Sequence, residues 1–269
     1  MAEHLIQNRG YHPDAPDYIN WHTINTAMNN LTIQRQLWVT KFVSGFCAVA
    51  SKMEQRKQWE SEQCPLCQSC RENTSHVIMC EDFRAYKQYH ASVQALLEWM
   101  ESNNTSPHIQ NILIQTLTCR GLETFFSHAP TSVPQYVSQA AHEQDVIGFT
   151  NIFKGHMSKQ WEYAQSSYLS HLGITQHDAQ AKRWAKKLIL RFFQFSYNMW
   201  EHRNSIVHEK AQGNLNSREL RVLDDMIRHE FQLGSHGVRE AENFYFNGTI
   251  NSILQKSVKD KKAWIQLIR

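Results

Sequence analysis

Apolar positions along this chain recur mostly at three- and four-residue spacing, the period of a helix buried on one face. Trp38, Phe42 and Gly45/Phe46 fall at i, i+4 and i+7/i+8, and Met53 extends the run, so the spacing predicts helix from Trp21 to Trp59. Tyr86, Tyr89, Val93, Leu96, Leu97 and Met100 share one face of a second helix. Asn103-Asn104-Thr105-Ser106-Pro107 breaks the pattern with helix-start chemistry, and Ile109, Ile112, Leu113 and Leu117 mark a third. Trp161, Ala164 and Tyr168 predict a helix that stops before Gly173. The strongest signal runs from Asp178 to His208. Its middle, Leu188 to Phe195, is apolar nearly all round and predicts a central buried helix ended by Gly213. Asn216-x-x-Glu219 reads as a capping box for a helix reaching Leu233, with Gly234 and Gly237 as its stop, and a last helix covers about 249–268.

Composition narrows this further. Only 10 glycines and 6 prolines occur in 269 residues, too few turn-formers for a many-stranded sandwich or barrel. The predicted fold class is all-α, helical bundles with one small CCHC zinc knuckle inserted between helices. Residues 1–19, with Pro13 and Pro16, read as a loose lead-in. Residues 20–126 form a helical region holding the knuckle at about 60–84. Residues 127–145, with Pro130 and Pro134, read as a linker, and 146–269 as a helical C-terminal domain. No run of about eighteen apolar residues marks a membrane span. The first seven residues have neither a basic start nor an apolar core, so an intracellular protein, nuclear or cytoplasmic and not secreted, is expected. The formal charge of +3 leaves any nucleic-acid contact to a local patch.

The cysteines carry the chemistry. Four of six lie between positions 64 and 80, whereas a disulfide framework would spread them through the fold. Cys64, Cys67, His76 and Cys80 form the frame C-x2-C-x8-H-x3-C. Three thiols and an imidazole suit tetrahedral zinc. Cys-Pro-Leu-Cys folds as a tight knuckle that aims both sulfurs inward. Asn73 caps a short helix on which His76 and Cys80 stand one turn apart. Buried thiols packing as small hydrophobes would leave this agreement of count, spacing and register unexplained. Cys70 is a fifth candidate that could replace Cys67, but the reading leaves it a bystander. Four protein ligands leave no open position, so the zinc is read as structural rather than catalytic. From Lys52 to Lys87 the charges cancel, which gives phosphate nothing to bind there. Trp59, Phe83 and Tyr86 could stack bases, although packing on the zinc helix is the plainer use. Cys47 and Cys119 read as inert thiols.

The run LWVTKFVSGFCAVASKMEQRKQW, then CPLC and ENTSHVIMC, resembles the zinc-binding region downstream of the polymerase domain in non-LTR retrotransposon reverse transcriptases. MWEHRNSIVH and IRHEFQLG resemble the segment C-terminal to that finger in retroelement-derived proteins. The resemblance implies Cys64, Cys67, His76 and Cys80 as zinc ligands, and a retroelement-derived accessory module that binds nucleic acid or protein. Its partners would be RNA or DNA, weakly bound, a reverse transcriptase polymerase domain or another protein. The His-x3-Cys ending is one residue shorter than the commoner plant form. The catalytic aspartates of a polymerase are missing: the one Asp-Asp pair, Asp224-Asp225, sits in a helical pattern.

Two further constellations remain. Arg203, Asn204 and His208 fit R-N-x3-H, which resembles the catalytic signature of HEPN ribonucleases and implies a metal-independent ribonuclease as the alternative function. There, histidine would exchange protons and arginine would stabilise a phosphorane. Helix geometry also puts Arg203 on the face of Met199 and Ile206, where it reads as a tethered, partly buried arginine. Lys182, Arg183, Lys186, Lys187 and Arg191 form a run of positive charge without an acid, the best nucleic-acid-binding candidates in the chain. The plainer reading is the wet face of a helix. Lys256, Lys259, Lys261, Lys262 and Arg269 make a weaker second patch. A degenerate structural remnant, folded and zinc-bound with neither activity, is the third possibility.

Overall fold

A computed structural model describes residues 6–7, 10–234 and 245–268, with backbone only over 209–219 and at 221. The protein is 69% helical and, among the described residues, has no strand, so it is all-α. It divides into two compact units, Met1–Asn204 and Ser205–Arg269.

The first unit opens with α1 (Ala15–Tyr18), α2 (Trp21–Met28), α3 (Ile33–Val43) and α4 (Ala50–Gln55). The single helix expected over 21–59 is thus three. Asn20 and Thr32 each accept a backbone N–H at a helix start. Gly45 adopts φ +68 just past α3, a left-handed turn that ends the helix. Residues 10–19 are not a loose lead-in. Tyr11, Ala15 and Ile19 repeat every four residues and are buried with Ile147. The Tyr11 hydroxyl lies 2.6 Å from His156 Nδ1 in the interior.

After the Cys/His segment come α5 (Thr74–Met79), α6 (Phe83–Ser102) and α7 (Pro107–Thr118). The predicted faces of α6 and α7 are largely the buried ones, with Tyr86 the exception at 45% exposed. Tyr89 donates its hydroxyl to the Leu117 carbonyl at 3.0 Å, tying α6 to α7. A 3-10 turn (Phe126–His128) leads to α8 (Gln135–Ile147), α9 (Phe149–Ile152) and α10 (Gln160–His171). The segment expected as a linker, 127–145, is therefore mostly helix. Its small polar composition conceals a packing face: Val137, Ala140 and Ala141 are buried. Gln144 accepts from Ser158 N and Trp161 Nε1 and donates to the His156 carbonyl.

Helix α11 (His177–Leu233) is continuous for 57 residues. Gly213 does not end it. A helical glycine costs only about 1 kcal/mol, which the flanking turns can absorb. The expected cap at Asn216 and Glu219 is absent as a helix start, and their side chains lie outside the described residues. In the first unit, Leu188, Ile189, Phe192, Phe193 and Phe195 are buried while Lys187, Arg191 and Gln194 are exposed, so the helix is two-faced rather than apolar all round. Phe195 packs on Tyr89 and Phe153, with ring centroids 5.1 and 5.0 Å apart.

In the second unit, Leu223 and Ile227 of α11 pack with α12 (Ile250–Leu254) and α13 (Val258–Ile268) around Ile253, Trp264 and Ile265. Lys261, expected in a surface patch, is buried and donates to Asp224 Oδ1 at 2.6 Å. Among the described residues, no helix is long and apolar enough to cross a membrane.

Candidate metal centre

The Cys/His segment is built from two short elements. Residues 62–72 form a hairpin closed by Cys64 N donating to the Cys70 carbonyl at 2.8 Å and Glu72 N to the Glu62 carbonyl at 2.9 Å. Its tip turns because Gln68 takes φ +57 and returns its N–H to the Cys64 carbonyl. The Leu66 N–H points at the Cys64 sulfur, 3.4 Å away. Asn73 then caps α5 through the N–H of His76, as the sequence predicted. Cys80 is the residue just past that helix, one turn beyond His76.

These elements bring one donor atom each from Cys64, Cys67, His76 and Cys80 to within 4.8 Å of one another. Cys64 and Cys80 sulfurs are 3.8 Å apart, and Cys67 Sγ is 3.4 Å from His76 Nε2. All six cysteines are free, so no disulfide explains the cluster. Cys70 is exposed and lies outside it. The hydrogen bond with Cys80, together with burial, pushes the Cys64 thiol up to about 12, and the same hydrogen bond pulls the Cys80 thiol down against its burial. The hydrogen bond with Cys64 raises His76. Three thiols and an imidazole this close together form a donor set that can hold a metal ion.

No family model matches this chain, and neither does any curated protein or solved structure.

The Cys/His segment is fastened to the helical body at two points that the sequence did not reveal, Glu72 of the hairpin and Cys80 just past α5. Glu72, fully buried, accepts from Ala50 N at 2.6 Å at the start of α4 and from the Arg203 guanidinium on α11. Arg203 also lies over the rings of Trp59 and Trp200, at 5.2 and 5.3 Å. Arg120 donates from Nη2 to the Cys80 carbonyl at 3.2 Å and lies over the Tyr89 ring at 5.0 Å. Glu72 was one of six acids in a charge-neutral stretch, and Arg120 follows α7 with no motif around it. No local signal distinguishes either residue.

The other sequence candidates are dispersed. Arg203 is buried in the Glu72 pair, Asn204 Oδ1 accepts from Arg203 Nη1 at 3.1 Å, and His208 is exposed. Lys182 and Lys186 border a shallow recess with His22, Thr23 and Thr26 of α2. Lys187 and Arg191 face the end of α6. Phe83 is exposed, while Tyr86 stacks near Arg120. Cys47 is buried, which pushes its thiol up to about 12, in keeping with an inert role.

Proposed function

We propose that the protein is a retroelement-type accessory module, a helical body carrying a small knuckle closed by structural zinc, which binds nucleic acid or a protein partner and has no polymerase activity of its own. The convergence of four donors carries this reading. Zinc with Zn–S bonds of about 2.3 Å sets tetrahedral edges of about 3.8 Å, and the Cys64–Cys80 edge is of that length. Cys64, Cys67, His76 and Cys80 would hold the ion. It would supply folding energy, joining the hairpin to α5, and four protein ligands would leave it no place for substrate.

The retroelement assignment is supported by the way its two characteristic stretches meet. Glu72 is the first residue of ENTSHVIMC, and Arg203 belongs to MWEHRNSIVH. The two form one buried ion pair. A ribonuclease would need the Arg203 guanidinium on a scissile phosphate, but here the guanidinium is engaged by Glu72 in the interior, so binding is preferred to catalysis.

Metal analysis of the purified chain tests the reading. One zinc per chain is expected, and cobalt substitution should give the intense visible bands of a tetrahedral thiolate site. Metal far below one equivalent after zinc-supplemented expression would refute it.

A further inference from the structure

The basic residues on one side of α11 line a continuous groove beside the end of α6. Lys187 and Arg191, with Asn30, Ser102, Asn103 and Gln194, border a cavity of about 560 Å³. A second, of about 290 Å³, shares Asn103 and Lys187 and adds Arg183. A third, of about 120 Å³, continues past Arg191 and Gln194. No carboxylate lines any of the three, although Glu98 and Glu101 are exposed elsewhere on α6. Among the described residues, Arg183, Lys187 and Arg191 form no ion pair with a carboxylate. Leu31, Trp99 and Leu190 complete the lining of the first cavity, and Arg191 lies over the Trp99 ring at 5.6 Å. Three cations in a recess without an acid attract an anion.

The groove wall is held in place before any ligand arrives. Asn103 Nδ2 donates to the Trp99 carbonyl at 2.9 Å, and Trp184 Nε1 donates to Thr105 Oγ1 at 2.8 Å. Gln165 on α10 bonds both Ser106 N and the Asn104 carbonyl, at 2.9 and 2.8 Å. A wall fixed in this way loses little entropy on binding.

Arg183, Lys187 and Arg191 stand four residues apart, so the cations repeat about every 6 Å along the helix. That is the scale of successive phosphates on one extended strand. Asn103 Nδ2 donates to Trp99 and Ser102 and Gln194 Nε2 to Asn198, and the oxygens of both amides can accept from sugar hydroxyls or base edges. A duplex carries its phosphates on a stiff convex surface that cannot enter a recess between two helices. We infer that this groove binds the sugar-phosphate backbone of a single-stranded nucleic acid. The inference deepens the proposed binding function by assigning it a ligand and a place away from the knuckle.

Fluorescence anisotropy tests it with the full, zinc-loaded chain and labelled twenty-nucleotide oligo(U) and oligo(dT), a duplex of equal length and a polyglutamate peptide. Both single strands should bind at low salt, with log K falling against log salt at a slope of about −2 for three phosphate contacts. Lys187→Glu with Arg191→Glu should weaken binding at least tenfold and flatten that slope, with circular dichroism unchanged. Arg183→Gln should weaken it less. Lys256→Glu with Lys259→Glu should bind as the parent does. Lack of binding by the parent, or a groove variant that binds as tightly, overturns the inference. A duplex preference, or polyglutamate binding as tightly as the strands, would do the same by reassigning the groove. Because zinc content is read separately, a zinc-loaded chain that ignores oligonucleotides sinks the groove alone, and strand binding without zinc sinks the knuckle alone.

Discussion

Arg203 donates to Glu72 from Nε to Oε1 at 3.0 Å and from Nη2 to Oε2 at 2.7 Å, across 131 residues of chain. Both side chains are almost wholly buried, and the carboxylate takes a third hydrogen bond from Ala50 N. The pair joins the Cys/His hairpin to α4 and α11 at once. Removing one partner strands a charge in the interior. Glu72→Leu or Arg203→Met should therefore each cost about 3–5 kcal/mol in denaturant unfolding. The double variant should recover much of that loss. If the single changes cost less than about 1 kcal/mol, the pair does not hold the hairpin.

The four converging donors differ from their neighbour Cys70 in one respect that can be measured. Cys67→Ser should lower the bound zinc well below one equivalent and raise amide exchange across 62–80. Cys70→Ser should leave both unchanged, because that thiol is exposed and outside the cluster. A chelator should reproduce the Cys67→Ser exchange pattern. Equal metal loss in the two variants would contradict the assigned ligands.

His156 supplies a pH dependence. Burial, with Lys154 nearby adding to it, drops its pKa to about 3. The unfolded chain takes up the proton first, near pH 6.5, so stability is full above that value and falls as pH drops toward 3. The slope from this one group approaches 1.4 kcal/mol per pH unit, roughly 2.303RT. His156→Gln should lower stability at pH 7 and lessen the fall between pH 6.5 and 5, as read by unfolding at each pH. A parent and variant that fall in parallel would show that His156 is not the source.

Gly155 follows α9 with φ +78, and a Cβ there would stand 2.7 Å from the Phe193 ring. Gly155→Ala combines backbone strain with a clash in the aromatic core. It should destabilise the first unit by more than about 1 kcal/mol in denaturant unfolding. An unaffected midpoint would mean that the Phe193 ring has room to move.

Much of this protein is written locally in its sequence. Period and spacing located α6, α7, α10 and the first part of α11, because one buried face per helix leaves an apolar repeat that survives without knowledge of the partner. The Cys/His cluster was legible for the same reason: Asn73, His76 and Cys80 sit on one short helix and its caps, and Cys64 and Cys67 at one hairpin tip. Composition misled where packing decided. Ala140 and Ala141 read as linker and form a helix face. Gly213 read as a stop and lies inside a helix. Only the tertiary structure paired Glu72 with Arg203, set Arg120 on the Cys80 carbonyl, and laid Lys187 and Arg191 beside Asn103. Those relations join residues far apart in sequence. The energy of burying a charge depends on what chain closure places against it, and no window of neighbouring residues contains that information.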